Sequence, residues 1–142
     1  MEPTDKTVIT VEVKVNLPVE KTWELWNDPE HITKWCFASD DWQTSRAEND
    51  LRVGGKFLSR MEAKDGSFGF DFEGVYVEVK PNKSIVYCIA DGRKVDIVFN
   101  DNVDSTTVIE TFEAENENPP EMQKNGWQSI LNNFKKYAEM VE

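Results

Sequence analysis

The chain has 142 residues, a formal net charge of −11, 39% hydrophobic residues and 30% charged residues. This length fits one domain with its own core, and the composition is that of a folded protein rather than a disordered one. The acidic balance disfavours nucleic acid and anionic membranes as partners. No apolar run of ~20 residues and no signal peptide is visible, so we expect a cytoplasmic protein. The net charge of −11 favours a monomer.

The first predicted elements are a strand and two short helices. Apolar and polar residues alternate over 9–16, which is typical of a half-buried strand. Pro18 suits the first turn of a helix, and apolar residues at helical spacing extend that helix to about residue 26. Asn-Asp-Pro at 27–29 ends it, and a second short helix is predicted over about 30–35.

Six further strands are predicted, separated by turn signals such as Gly-Gly and Asp-Gly, with a tight turn over 91–93. Short loops join successive strands, which favours antiparallel pairing. The apolar positions change parity at Glu73-Gly74, so we predict a bulge or sharp bend there. These strands are predicted over about 44–48, 56–63, 68–79, 84–90, 95–99 and 105–113.

A long amphipathic helix is predicted from about Pro120 to Val141, capped by Asn118 or Pro119. From Trp127 onward its apolar residues form one continuous stripe. At ~1.5 Å per residue the helix is roughly 30 Å long, enough to cross a curled sheet. The element order therefore predicts an α+β fold, in which a curved antiparallel sheet of about seven strands wraps around this helix and leaves a hollow between them.

The chain offers little equipment for metal binding. His31 is its one histidine, so a site built on several His ligands is excluded, and the acidic residues show no calcium-loop or zinc-site spacing. His31 is interpreted as an exposed helix residue or as a polar group at the mouth of the hollow. Cys36 and Cys88 form no CxxC pair and are expected to be buried, reduced thiols. No metal or cofactor is predicted.

Catalysis would depend on a polar group inside the hollow. Arg60, Asp71, Glu73 and Glu110 lie within predicted strands, and parity places some of them in solvent. A buried carboxylate would have a raised pKa and is able to act as an acid or base, as is Tyr87. No recognisable catalytic constellation is present, so no catalytic residue is predicted and we do not expect an enzyme.

An ordered set of segments resembles one known family. It includes Asn-Asp-Pro-Glu at 27–30, Val-Gly-Gly-Lys-Phe at 53–57 and Gly-Trp-Gln-Ser-Ile-Leu at 126–131. The full set, at 11–30, 35, 50–57, 65–67, 72–81 and 126–131, is similar to the activator of heat-shock-protein-90 ATPase homologue family, C-terminal-domain type. That family belongs to the START-like (SRPBCC) superfamily, which includes the birch pollen allergen fold.

The resemblance implies a helix-grip fold and one START-like domain over residues 1–142, with an ordered core from about 7 to 141. Our leading interpretation is a non-catalytic binding protein for a small apolar or lipid-like molecule, because aromatic residues exceed what a simple core needs and ligand pockets are largely apolar. The alternatives are a chaperone-associated or stress-response interaction module and a cyclase- or hydrolase-like enzyme using the same cavity. The predicted ligand-binding residues are Trp26, Trp35, Phe57, Met61, Phe72, Tyr76, Tyr87, Phe99, Trp127, Ile130 and Phe134.

Overall fold

A computed structural model describes residues 8–37, 39–89, 92–115 and 119–141. The predicted core start at residue 7, the strand end at Ala90, the turn residue Asp91 and the cap at Asn118 lie outside the described residues. The α+β helix-grip architecture is confirmed, whereas the single domain over 1–142 stays a prediction. The elements are β1 (Val8–Val15), α1 (Val19–Asn27), α2 (Pro29–Trp35), β2 (Trp42–Asn49), β3 (Lys56–Ala63), β4 (Gly69–Lys80), β5 (Ser84–Ile89), β6 (Lys94–Asp101), β7 (Thr106–Glu113) and α3 (Pro120–Val141).

The strands form one curved antiparallel sheet. Within the described residues it contains seven strands in the order β1-β7-β6-β5-β4-β3-β2. Strands adjacent in sequence therefore pair with each other, except that β1 lies beside β7, with Val8 opposite Glu113 and Val15 opposite Thr106. This order places β3, β4 and β5 on one side of the sheet, away from the β1–β7 pair.

The bend in β4 lies at a different residue from the one predicted. Gly74 pairs regularly with Phe57 on β3 and Ile89 on β5, and the register shifts between Tyr76 and Glu78 instead. The prediction of a bulge at Glu73-Gly74 is therefore wrong. The inward face runs on through Gly74 to Tyr76, and the parity changes only at Val77, which points to solvent.

The two short helices follow β1 as predicted. Pro18 precedes α1 with an extended backbone, so it occupies the cap position rather than the first helical residue. Asp28 separates the helices and caps α2, because its side-chain oxygen accepts a hydrogen bond from the backbone N–H of Glu30 at 3.0 Å. Trp35 ends α2 and is buried, with its Nε1 donating to the carbonyl oxygen of Leu25 at 3.0 Å.

Helix α3 lies across the inner face of the sheet. Its side chains Leu131, Phe134 and Ala138 are fully buried. Polar contacts at its edge hold it in place: Lys135 Nζ donates to the carbonyl oxygen of Lys14 at 2.7 Å, and Asn133 Nδ2 donates to that of Trp35 at 2.8 Å. Across the described part of the chain, no helix combines the length and apolar character that a membrane crossing requires.

Candidate functional site

The sheet side of the site is an aromatic wall on β3, β4 and β5. Side chains at alternate positions of a strand share one face, and Phe57, Phe72, Tyr76 and Tyr87 all fall on the inner face. The ring centroid of Phe57 lies 4.6 Å from that of Tyr87, 5.5 Å from that of Tyr76 and 5.7 Å from that of Phe72. Phe57 is thus the centre of this wall.

Gly74 makes room for the ring of Phe57. A Cβ atom at this position would lie 2.8 Å from a carbon of that ring and 2.6 Å from the carbonyl oxygen of Cys88. Both distances are too short for real contacts, so a larger residue would displace the ring or the strand. The glycine that the sequence suggested as a bend is therefore a point of close approach.

The helices supply the opposite wall. Trp127 on α3 stacks on Phe112 of β7 with ring centroids 3.9 Å apart, and its edge approaches Phe72 of β4 at 6.2 Å. Trp26 of α1 packs against Trp35 with a centroid separation of 4.7 Å. Trp127 consequently spans the space between two distant strands, and the two other tryptophans close the end of that space.

Between these walls lies a cavity of about 280 Å³. This volume is close to the lower end of the ~300–1,000 Å³ range typical of small-molecule pockets. Nine predicted ligand-binding residues line it: Trp26, Trp35, Phe57, Met61, Phe72, Tyr76, Tyr87, Trp127 and Ile130. Their role in binding stays a prediction.

Phe99 and Phe134 lie elsewhere. They are buried behind Trp26, with centroid separations of 5.9 Å and 4.9 Å from its ring, and do not line the cavity. The sequence places both on the inward faces of their elements, but it does not show that α1 comes between them and the hollow. In the structure they support the cavity wall from behind.

Sequence reasoning did not single out most of the polar residues that line the cavity. Ser59 follows Phe57 by two residues, so strand parity was a usable signal for it. Glu110 shares the inner face of β7 with Val108 and Phe112, and of the strand carboxylates considered above it is the buried one. The further lining residues are Asn27, Ile32, Cys36, Glu48, Asn49, Ser59, Phe70, Arg93, Glu110 and Glu115.

The other charged candidates from the strands face outward. Asp71 and Glu73 are exposed. Arg60 pairs with Asp71 at 3.3 Å and with Glu62 at 3.4 Å on the outer face. His31 lies outside the cavity lining, where its Nδ1 forms a hydrogen bond with the Tyr137 hydroxyl at 2.6 Å. These residues therefore do not contribute to the cavity.

Hydrogen bonds order one rim of the cavity. The Tyr76 hydroxyl donates to Asn49 Oδ1 at 2.5 Å, and Asn49 Nδ2 donates to the carbonyl oxygen of Asn27 at 2.7 Å. Asn27 Nδ2 in turn donates to the carbonyl oxygen of Trp23 at 3.0 Å. This chain links β4 through β2 to α1. Burial raises the pKa of Tyr76, so the hydroxyl stays protonated as a donor.

Burial keeps three ionisable groups of the cavity lining, those of Glu110, Tyr87 and Cys36, mostly in their neutral forms at pH 7. Burial raises the pKa of Glu110 from 4.5 to about 8. Burial, reinforced by the negative charge of Glu110, also raises the pKa of Tyr87 well above its usual value. Cys36 and Cys88 are free and partly exposed rather than fully buried as expected. The Cys36 thiol faces inward, where burial raises its pKa to about 12, so it is a weak nucleophile at neutral pH.

No group of three or more His, Cys, Asp or Glu side chains able to hold a metal ion occurs among the described residues. The arrangement is chemically that of a largely apolar, aromatic cavity with the buried carboxyl group of Glu110 on its inner face. Chemistry of the cyclase or hydrolase kind would have Glu110 as its acid or base.

A curved antiparallel sheet gripping a long helix over an aromatic cavity defines a protein of the START-like superfamily. The sequence profile of the family described as Activator of Hsp90 ATPase homolog 1-like protein matches residues 16–139. The chain therefore belongs to that family. No curated protein matches it.

Solved structures agree with this assignment. The solution NMR structure of an AHSA1-like protein from Aeromonas hydrophila is 43% identical, with a TM-score of 0.89, and the match covers 95% of this chain and 94% of that one. A solution structure from Cytophaga hutchinsonii is 53% identical, with a TM-score of 0.81 and coverage of 97% and 94%. A crystal structure from Nitrosomonas europaea, 17% identical with a TM-score of 0.82 and 98% coverage of both chains, shares the fold.

Proposed function

We propose that this protein binds a small, largely apolar molecule in the cavity between the β3–β5 wall and the helices. The observation that carries the proposal is the aromatic cavity of about 280 Å³, whose rings are held on both sides by secondary structure. We further propose a monomer in the cytoplasm, without nucleic-acid or membrane partners, in keeping with the net charge of −11.

The test is to fill the cavity. Met61 lies on the inner face of β3 and lines the cavity, so Met61→Trp should occupy the space that a ligand needs. A panel of flavonoids, fatty acids and steroid-like compounds is titrated against the parent, with intrinsic tryptophan fluorescence and the melting temperature as readouts. A compound that binds the folded state raises the melting temperature by mass action. We expect such a response in the parent and its loss in Met61→Trp.

Met140→Trp is the matched control. Met140 is 74% exposed near the end of α3, so the same substitution there adds a tryptophan without entering the cavity. Overpacking at Met61 typically costs about 1–3 kcal/mol, so circular dichroism must show that Met61→Trp is folded before its binding is compared. An unchanged fluorescence and melting temperature of the parent with every compound would contradict the proposal.

The second candidate function is the interaction with a chaperone that the family's description suggests. An aromatic cluster at the surface favours it: Trp42 is half-buried, and its ring centroid lies 6.0 Å from that of Phe68 and 6.1 Å from that of Phe70. Phe68 is 63% exposed, and Phe70, which also borders the cavity, is 41% exposed. Exposed apolar groups of this kind are typical of interaction sites.

The measurement is ATP hydrolysis by a purified heat-shock protein 90 with and without this protein. The interaction hypothesis expects a changed rate that Phe68→Ser weakens. Val53→Ser is the control. Val53 is also exposed, but it lies in the turn between β2 and β3, at the end of β2 opposite to Trp42. A rate that does not respond to the parent protein would exclude this function for that chaperone.

A further inference from the structure

Glu110 is a carboxyl group among apolar side chains. It is 6% exposed, and its cross-strand neighbours are Val11 on β1 and Ile97 on β6, both buried. The residues that precede and follow it on the same face of β7, Val108 and Phe112, are buried as well. A polar group in such a place is costly unless a partner compensates it. Because Glu110 lines the cavity, a ligand has access to it.

The protein itself supplies no such partner in the part of the chain that the structure describes. The Glu110 carboxyl group makes no hydrogen bond or ion pair within residues 8–37, 39–89, 92–115 and 119–141. Tyr87 on β5 and Cys36 after α2 are two ionisable groups close enough to interact with it. Raised pKa values keep both of these groups uncharged at neutral pH, so neither balances a negative charge.

Helix α3 and strand β3 contribute no charged side chain to the described cavity lining. Helix α3 presents Trp127 and Ile130 to the cavity, and β3 presents Phe57, Ser59 and Met61. All five side chains are uncharged. These two elements therefore border the cavity with aromatic and other neutral groups.

The charged residues of the described cavity lining are unequal in number by sign. Glu48 on β2 and Glu115 after β7 add two carboxylates to that of Glu110. Among the described lining residues, Arg93 carries the opposite charge, and its Nη1 donates to the carbonyl oxygen of Glu113 at 3.1 Å. With a net charge of −11 on the whole chain, the electrostatic potential favours entry of a cation over that of an anion.

The aromatic rings add a second attraction for a cation. The faces of Trp, Tyr and Phe rings attract ammonium groups within about 6 Å of their centres, most strongly where water is excluded. Trp26, Trp35, Phe57, Tyr87 and Trp127 surround the same cavity as Glu110. A carboxylate set among aromatic rings is chemically suited to a cationic nitrogen on an apolar body.

We propose that the ligand of this cavity is an apolar organic amine, whose protonated nitrogen pairs with the Glu110 carboxylate while its hydrocarbon part lies against the aromatic walls. This inference rests on the proposed binding function and adds the chemical class of the ligand. Glu110 is mostly protonated in the empty protein at pH 7, so pairing with the amine requires its carboxyl group to release a proton to the solvent.

Two probes of nearly identical shape test the proposal. Phenylbutylamine carries the cation, and phenylbutanol replaces it by a neutral hydroxyl group. We expect the parent to bind the amine at least about tenfold more tightly than the alcohol at pH 7. Calorimetry in two buffers of different ionisation enthalpy should show about 0.9 proton released per bound amine and none per bound alcohol, given the pKa of about 8.

Glu110→Gln keeps the size of the side chain and removes its charge. In this variant the preference for the amine and the proton release should both disappear, while the alcohol still binds. Glu12→Gln is the matched control, because Glu12 lies exposed on the neighbouring strand β1 and should leave both quantities as in the parent. Met61→Trp should block both probes, which separates cavity binding from attraction to the acidic surface.

The outcomes distinguish the amine proposal from the proposed binding of an apolar molecule, on which it rests. Equal affinity for the two probes in the parent, or amine binding without proton release, overturns the amine proposal and leaves a binding protein for neutral molecules. Binding of neither probe, together with no response to the compound panel, overturns both. The affinity ratio and proton release of the parent need no variant, so the test holds even where Glu110→Gln does not fold.

Discussion

The two halves of helix α3 meet the same sheet in different ways. Toward its C-terminal end, Leu131, Phe134 and Ala138 are fully buried against the sheet and the two short helices. Nearer its N-terminal end, Trp127 and Ile130 are half-buried and face the cavity. The difference arises because Trp26 and Trp35 fill the space beneath Phe134, whereas Trp127 faces Phe72 of the β3–β5 wall directly, with ring centroids 6.2 Å apart. One amphipathic stripe therefore serves as core at one end and as a cavity roof at the other.

Phe134→Ala probes the buried C-terminal half of α3 and should have the largest effect on stability. The side chain is fully buried and contacts the rings of Trp26 and Trp35, so the substitution leaves a void that the surrounding rings fill only in part. We expect the free energy of unfolding to fall by about 3–5 kcal/mol in urea denaturation followed by circular dichroism. A variant that unfolds at the same urea concentration as the parent would show that this half is not core.

Glu110→Gln probes the cavity beneath the N-terminal half of α3, through the pH dependence of the free energy of unfolding. The carboxyl group has a higher pKa in the folded chain, about 8, than its ordinary 4.5, so the folded state binds more protons across that interval. The free energy of unfolding of the parent should therefore decrease as pH rises from about 4.5 to about 8, by a few kcal/mol, and then level off. Glu110→Gln should lose most of this slope and be the more stable protein at pH 8.

Every other ionisable group contributes equally to both proteins, so the difference between the two curves is the relevant quantity. Glu12→Gln, which alters an exposed carboxylate, should reproduce the parent curve. Parallel curves for the parent and Glu110→Gln would mean that Glu110 is not held neutral by burial.

Ile130→Ala should have the smallest effect on stability. Ile130 is half-buried over the cavity, so its removal enlarges a space that already exists instead of creating one in packed surroundings. We expect a loss of about 1 kcal/mol in the same urea experiment, well below that of Phe134→Ala. A loss as large as that of Phe134→Ala would indicate that the two halves of the helix are packed alike.

The sequence predicts the secondary-structure elements more accurately than it predicts the residues of the candidate site. Alternation and turn signals predicted β3 at Lys56–Ala63 as the structure has it, and the apolar stripe predicted α3. The predicted position of the bulge in β4 is wrong because Gly74 has no side chain that shows which face of the strand it lies on. The sequence therefore does not reveal that the inward face continues from Phe72 to Tyr76. A register shift depends on the pairing of neighbouring strands, which one strand's residues do not reveal.

The sequence also does not reveal which inward-facing side chains are packed in the core and which line the cavity. Phe99 and Trp26 are both inward-facing aromatics, yet one is core and the other lines the cavity, because the docking of α1 decides which ring is covered. Glu110 was open to stricter reasoning. Glu110 lies at every second position with Thr106, Val108 and Phe112, so all four share one face of β7. That parity alone predicts that its carboxyl group points inward.

The pairing of β1 with β7 has a consequence for how the chain folds. Val15 lies opposite Thr106 and Val8 opposite Glu113, so this ladder joins segments far apart in sequence, and α3 packs on β1 across a similar separation. Contacts of this kind require a long loop to close before they stabilise anything, which slows folding. The meander from β2 to β7 is able to pair locally while the chain emerges from the ribosome, but the cavity gains its roof only after α3 has been synthesised. We therefore expect the sheet to be prone to aggregation during synthesis while α3 is missing and its aromatic rings are exposed.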